Sequence, residues 1–190
     1  MKVSELIYSA GNILVSKSFR SLCILLLSVA LPCSCIKEDM SLEEFVKVDD
    51  KLPDFEIVMY DGNIVTGADL RSTPSVVMFF HTSCPDCRQT LPRIQHLYEE
   101  YFARGVQFAL ISREEDSLSV AAYWETEGLT MPYSAQIDRK VYELFATRRV
   151  PRVYVSNDKG VVKHVFTDNP LPSDEDLKGA VEEVLSSTLP

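Results

Sequence analysis

Ser75-Val76-Val77-Met78-Phe79-Phe80-His81-Thr82-Ser83-Cys84-Pro85-Asp86-Cys87 decides the fold: a near-continuous apolar run, then two cysteines three residues apart, then a pattern of helical period. Such a run is what a strand buried on both faces looks like. Residues i and i+3 share one face of a helix, and the unpaired N–H groups of the first turn stabilise a thiolate there. Two thiols so placed can reach each other and trade a disulfide with a partner, which makes Cys84 and Cys87 the candidate redox pair. A structural zinc site wants four N or S ligands, and the chain offers no second Cys-x-x-Cys and only His81, His96 and His164. No metal is therefore expected, and no cofactor beyond the Cys84–Cys87 pair.

Downstream of the cysteines, Leu91, Ile94, Leu97, Tyr98, Tyr101 and Phe102 form one apolar helical stripe, with Pro85 in the first turn and Pro92 able to kink the helix. His96 lies off the stripe, at the surface. A second buried strand is expected over Val106 to Ser112, a second helix over Ser117 to Glu127 with Trp124 as a packing residue, and a third helix over Asp138 to Ala146. Arg152 to Ser156 and Val161 to Phe166, joined by Asn157-Asp158-Lys159-Gly160, read as a hairpin. Ser173 opens a last helix with Leu177, Ala180, Val181, Val184 and Leu185 inward. Upstream, Phe55 to Tyr60 and Ile64 to Thr66 flank Asp61-Gly62-Asn63, a turn whose Asp-Gly pair suits a tight hairpin. Alternating units followed by an antiparallel pair imply an α/β fold with a mixed central sheet and helices on both faces.

The N-terminal segment speaks of location. Leu22 to Leu31 is apolar and follows Lys17 and Arg20; it is too short to span a bilayer and suits a secretory leader. Leu31-Pro32-Cys33-Ser34-Cys35 resembles the processing site of a bacterial lipoprotein, and Ser34 before Cys35 fits better than Pro32 before Cys33. Residues 1–34 are thus expected as a signal peptide and Cys35 as the lipidated residue. Residues 35–51 read as a tether, and residues 52–190 as the domain. Lys37-Glu38-Asp39 resembles the charged export tag of surface lipoproteins in Bacteroidetes-type bacteria. Of the five cysteines, such processing leaves Cys84 and Cys87 as the free thiols. The formal net charge of −9 argues against nucleic acid or an anionic lipid surface as partner.

Over about Leu52 to Leu185 the chain resembles thioredoxin-like proteins of the TlpA/ResA type. Three landmarks carry the resemblance: Val76 to Cys87, Pro92 as the kinking proline of the active-site helix, and Val150-Pro151 before Val153-Tyr154-Val155 as the cis-proline loop. It implies a thioredoxin-like fold with an N-terminal β-hairpin extension and an inserted helix at Ser117 to Glu127. It also implies substrate binding at Val150 and Pro151, a disulfide reductase acting on exported proteins, a membrane electron donor, and a periplasm-facing lipid-anchored location in the cell envelope. Ser83 and Phe80 stand where the family has Trp, Met78 where thioredoxins bury an Asp, and Thr90 where some members carry a Glu, so the general base is unassigned. His81, Asp86 and Arg88 are candidate modulators: the first an imidazole three residues before Cys84, the other two of opposite effect on a thiolate. Two other readings stand beside the oxidoreductase. A peroxiredoxin-like peroxidase would want Thr or Ser at position 81 and Pro at position 77, where His81 and Val77 stand. A copper-binding assembly factor would need Cys84, Cys87 and a histidine such as His164 together.

Overall fold

The structure is a computed structural model and describes residues 44–187. At its centre runs β3 (Ser75–Phe80), whose six residues are all buried. On one side it pairs in parallel with β4 (Gln107–Ser112), and on the other antiparallel with β6 (Arg152–Ser156), so that Met78 lies opposite both Leu110 and Val153. β5 (Tyr133–Ser134) and β7 (Val162–Phe166) complete a five-stranded mixed sheet in the order β5-β4-β3-β6-β7. A separate antiparallel pair, β1 (Glu56–Val58) and β2 (Ile64–Thr66), precedes it, with Gly62 at φ +83° in the connecting turn. The expected hairpin is there, with its first strand shorter than Phe55 to Tyr60.

Why β3 reads as an unbroken apolar run is visible in its alternation. Phe79 points to one face, edge-on to Tyr142, Phe145 and Tyr154. Phe80 points to the other, against Trp124, which also packs on Tyr133. Both faces are covered, and each large side chain so buried is worth roughly 1.5–3 kcal/mol.

Among the described residues the helices are α1 (Gly67–Leu70), α2 (Pro85–Tyr101), α3 (Ser117–Glu127) and α4 (Asp174–Ser186). α2 starts with Pro85 in its first turn and runs on through Pro92. Leu91, Ile94, Leu97 and Tyr101 are buried as the stripe requires, but Phe102 is half-exposed, because the helix tightens there into a 3₁₀ turn that ends at Gly105. α3 has the expected extent and α4 starts at Ser173 as expected, capped by Asp116 and by a reciprocal Ser173–Asp176 capping box. No helix among the described residues is long and apolar enough to cross a membrane.

Two expectations need correction. Asp138 to Ala146 is not a helix; only Tyr142–Leu144 forms a 3₁₀ turn. The Asp138 carboxylate binds the Lys140 N–H and shapes a turn instead, while the Phe145 carbonyl and Ala146 are claimed by the N-terminal segment. That segment is the second correction. Within the expected tether, residues 44–51 lie on the domain: Phe45 and Val46 donate to the Phe145 carbonyl, Asp49 donates to Val162, Lys51 bridges to Val161, and Val46 is buried. Glu44 further binds the buried Arg152 at 3.1 Å. The leader, Cys35 and the rest of the tether lie outside the described residues.

Candidate active site

β3 ends at Phe80, and His81-Thr82-Ser83 carries the chain to Cys84, the N-cap of α2, with extended backbone at φ −78° and ψ 120°. The local folding has simple causes. The Cys84 N–H donates to the His81 carbonyl at 3.0 Å, and the Cys84 carbonyl receives the Arg88 N–H at 3.0 Å, closing the first helical turn. Pro85, lacking an N–H, leaves no donor unsatisfied in that turn. Cys84 is half-buried and Cys87, one turn in, fully buried; both are free thiols.

The two sulfurs live in different surroundings. Burial pushes the Cys87 thiol well up, opposed by a hydrogen bond from the His81 backbone N–H and by the charge of Arg113, and reinforced by the neighbouring Cys84. The Cys84 thiol points to the Val150 carbonyl at 3.4 Å. The Val150–Pro151 peptide bond is cis, and so, unforeseen in the sequence, is Asn169–Pro170. Sequence separation of 66 residues is therefore closed at a single sulfur–oxygen contact. The loop before Val150 is fixed from behind: Arg149 sits at φ +68°, and its carbonyl accepts the Tyr142 hydroxyl at 2.6 Å. A positive φ on a side chain of that size is a strained backbone held by its surroundings.

Of the candidate modulators, Arg88 lays its guanidinium toward the loop, donating from Nε to the Thr82 carbonyl at 2.6 Å and standing over the Tyr123 ring. Asp86 is half-buried in the first turn of α2. Its carbonyl accepts the Thr90 hydroxyl at 2.9 Å, so Thr90 is engaged with the helix backbone. Met78 is fully buried among apolar neighbours. His81 accepts the Ser83 N–H at Nδ1 (3.1 Å), with the Ser83 hydroxyl at 2.9 Å.

Glu115 is the residue that sequence reasoning missed. Its carboxylate is buried beside this loop, accepting the Thr82 N–H at 3.1 Å and the Thr82 hydroxyl, and lies 3.8 Å from His81 Nδ1. In the sequence it is the middle member of Glu114-Glu115-Asp116, which reads as a solvated acidic turn before α3. His164 stands apart from the cysteines, bound to Glu183 at 3.1 Å and stacked on Phe166. Among the described residues no three His, Cys, Asp or Glu side chains gather as a metal site.

Comparison with known proteins agrees with this geometry. The AhpC/TSA family model matches residues 48–165. The chain is 26% identical over 165 residues to the thiol-disulfide oxidoreductase ResA of Geobacillus thermodenitrificans, covering 87% of this chain and 94% of that protein. It is 25% identical over 151 residues to ResA of Oceanobacillus iheyensis, covering 77% and 79% respectively. The crystal structure of a thiol:disulfide interchange protein of the thioredoxin family from Chlorobium tepidum superposes with a TM-score of 0.63 at 25% identity, covering 73% of this chain and 98% of that one.

Proposed function

The chain belongs to the AhpC/TSA family, with a thioredoxin-like fold of the TlpA/ResA type, and on that premise we propose that it is a thiol-disulfide oxidoreductase working outside the cytoplasm as a disulfide reductase. The observation that carries this is the asymmetry of the pair: Cys84 half-exposed at a helix N-terminus with its thiol against the Val150 carbonyl, Cys87 fully buried one turn behind. The accessible sulfur at the positive end of the helix is the nucleophile, and the buried one resolves.

Cys84 as thiolate bonds to one sulfur of a substrate disulfide, and the other substrate sulfur leaves with a proton. Cys87, once deprotonated, bonds to Cys84 Sγ and expels the second substrate thiol. Val150 and Pro151 form the edge along which an extended substrate segment lies, with the Val150 backbone next to the reacting sulfur. Exported proteins with disulfides are the substrates in this reading, and a membrane electron donor restores the dithiol. Export and lipid anchoring at Cys35 rest on the apolar Leu22 to Leu31 and the Ser34-Cys35 junction.

The test is reduction of insulin disulfides by the reduced protein. Wild type is expected to react, and Cys84→Ser to lose the reaction entirely; reduction that persists in Cys84→Ser would refute the assignment. A peroxidase is the second reading, favoured by the AhpC/TSA match. It requires peroxide consumption by Cys87→Ser, for which the oxidoreductase reading expects none above the background of a free thiol.

A further inference from the structure

We propose that Glu115 is a positioning residue of the exchange reaction, holding His81 so that its imidazole takes up and returns a proton beside Cys84. The proposal deepens the oxidoreductase reading and rests on it. A carboxylate buried to this depth is costly to keep charged unless paired and hydrogen-bonded. The Glu115 side chain is 5% exposed, and among the described residues its one cationic neighbour within ion-pair distance is His81. Two donors from Thr82 fill further lone pairs, so the carboxylate is anchored to the backbone immediately before the cysteines.

The surroundings of His81 Nδ1 suit both protonation states. On one side stands a donor, the Ser83 N–H at 3.1 Å; on the other an acceptor, Glu115 Oε1 at 3.8 Å. The Ser83 hydroxyl at 2.9 Å can serve either. Neutral, the ring accepts from Ser83 and carries its proton on Nε2; protonated, it turns a second N–H toward Ser83 Oγ and Glu115. The ring is 30% exposed, so protons can pass to water. Its own carbonyl receives the Cys84 N–H, which ties the ring's backbone to the nucleophile.

Other charged and titratable groups border the same loop. From α2 come Cys84, Cys87, Asp86 and Arg88, whose Nε binds the Thr82 carbonyl. From the end of β4 comes Arg113, whose N–H binds the Phe80 carbonyl and whose charge bears on Cys87. Both arginines oppose a positive charge on His81, and Glu115 supplies the negative charge that permits it. The chemistry needs such a group. Two electrons pass from the cysteine pair to the substrate disulfide; two protons leave Cys84 and Cys87 and end on the two substrate thiols. Neither Met78 nor Thr90 is a base, and His81 held by Glu115 carries those protons.

The experiment is a histidine NMR titration of the reduced protein, paired with the pH profile of single-turnover insulin reduction. Glutamine keeps an acceptor for the Thr82 N–H and a donor for its hydroxyl, so Glu115→Gln removes charge with little change of shape. The His81 titration is expected to move to lower pH in Glu115→Gln, because that substitution removes the negative charge beside the ring. The limb of the rate profile that belongs to His81 should fall with it. In His81→Asn that limb should vanish, and adding Glu115→Gln should then change the profile no further. An unshifted His81 titration in an active protein overturns this proposal alone, as does an equal profile shift by Glu115→Gln in the His81→Asn background. Should Glu115→Gln fail to fold, a His81→Asn profile identical to that of wild type overturns it. A wild type that reduces no disulfide overturns the functional reading as well.

Discussion

A half-exposed sulfur at a helix start and a fully buried one a turn later should react differently with the same reagent. Burial raises the Cys87 thiol, which keeps it protonated across neutral and mildly alkaline pH. Reduced protein treated with iodoacetamide at pH 8 is expected to gain one adduct rapidly, mapped by peptide mass to Cys84, with Cys87 modified only on unfolding. Rapid labelling of Cys87 would contradict the environment described. Asp86 adds a negative charge to the first turn of α2, which disfavours a thiolate there. Removing it in Asp86→Asn should favour the dithiol form and make the pair more oxidising, read in a glutathione redox titration; a more reducing variant would contradict the argument. At this scale the cysteine pair was legible because its spacing is local, and the pairing of Cys84 with Val150 was legible only through the family's proline landmark. Glu115 was not legible. It reaches Thr82 across 33 residues, and nothing in an acidic triplet distinguishes a buried carboxylate from two solvated ones.

Elements with strong local signals came out as the sequence implied: β3 from its unbroken apolar run, α3 over Ser117 to Glu127, α4 from Ser173 and its inward stripe. Asp138 to Ala146 did not, because its apolar residues Tyr142, Phe145 and Ala146 are drawn to the sheet and to the N-terminal segment, and tertiary contacts overrode a helical pattern scarcely two turns long. The capping boxes offer a direct stability test. Ser173→Ala removes the side-chain acceptor for the Asp176 N–H and should cost about 0.5–2 kcal/mol in urea unfolding. Hydrogen bonds from Thr66, Ser119 and Ser173 hold Asp69, Asp116 and Asp176 below the usual carboxylate range. A carboxyl depressed in the folded state stabilises above its unfolded value and loses that contribution as pH falls through the folded one. Unfolding midpoints should therefore drop below about pH 4, and the drop should shrink in Asp176→Asn; a pH-independent midpoint down to pH 2 would contradict it.

For the molecule as a whole, residues 44–51 change the picture from a tethered domain to one whose N-terminal segment is part of its packing. Arg152, almost wholly buried just after Pro151, takes its carboxylate partner from Glu44 and a carbonyl from Arg148. Glu44→Ala leaves that guanidinium short of a charged acceptor and should destabilise the fold by roughly 1–3 kcal/mol in urea, whereas an unchanged midpoint would show the segment to be dispensable. No local pattern announced this docking, since charges dominate the segment and only Val46 is well buried. The fold thus brings three distant stretches together: the loop and helix carrying the cysteines, the Val150–Pro151 loop against Cys84, and the Glu115 turn against Thr82 and His81. The assignment of Cys84 as nucleophile and Cys87 as resolving thiol is the centre of the account. It is tested most directly by mixing reduced Cys87→Ala protein with a peptide disulfide and measuring intact mass, then mapping the adduct. A stable mixed disulfide at Cys84 is the expected result, with none accumulating in wild type and none forming at Cys87 in Cys84→Ala. A persistent adduct on Cys87, or none at Cys84 while wild type still reduces the peptide, would contradict it.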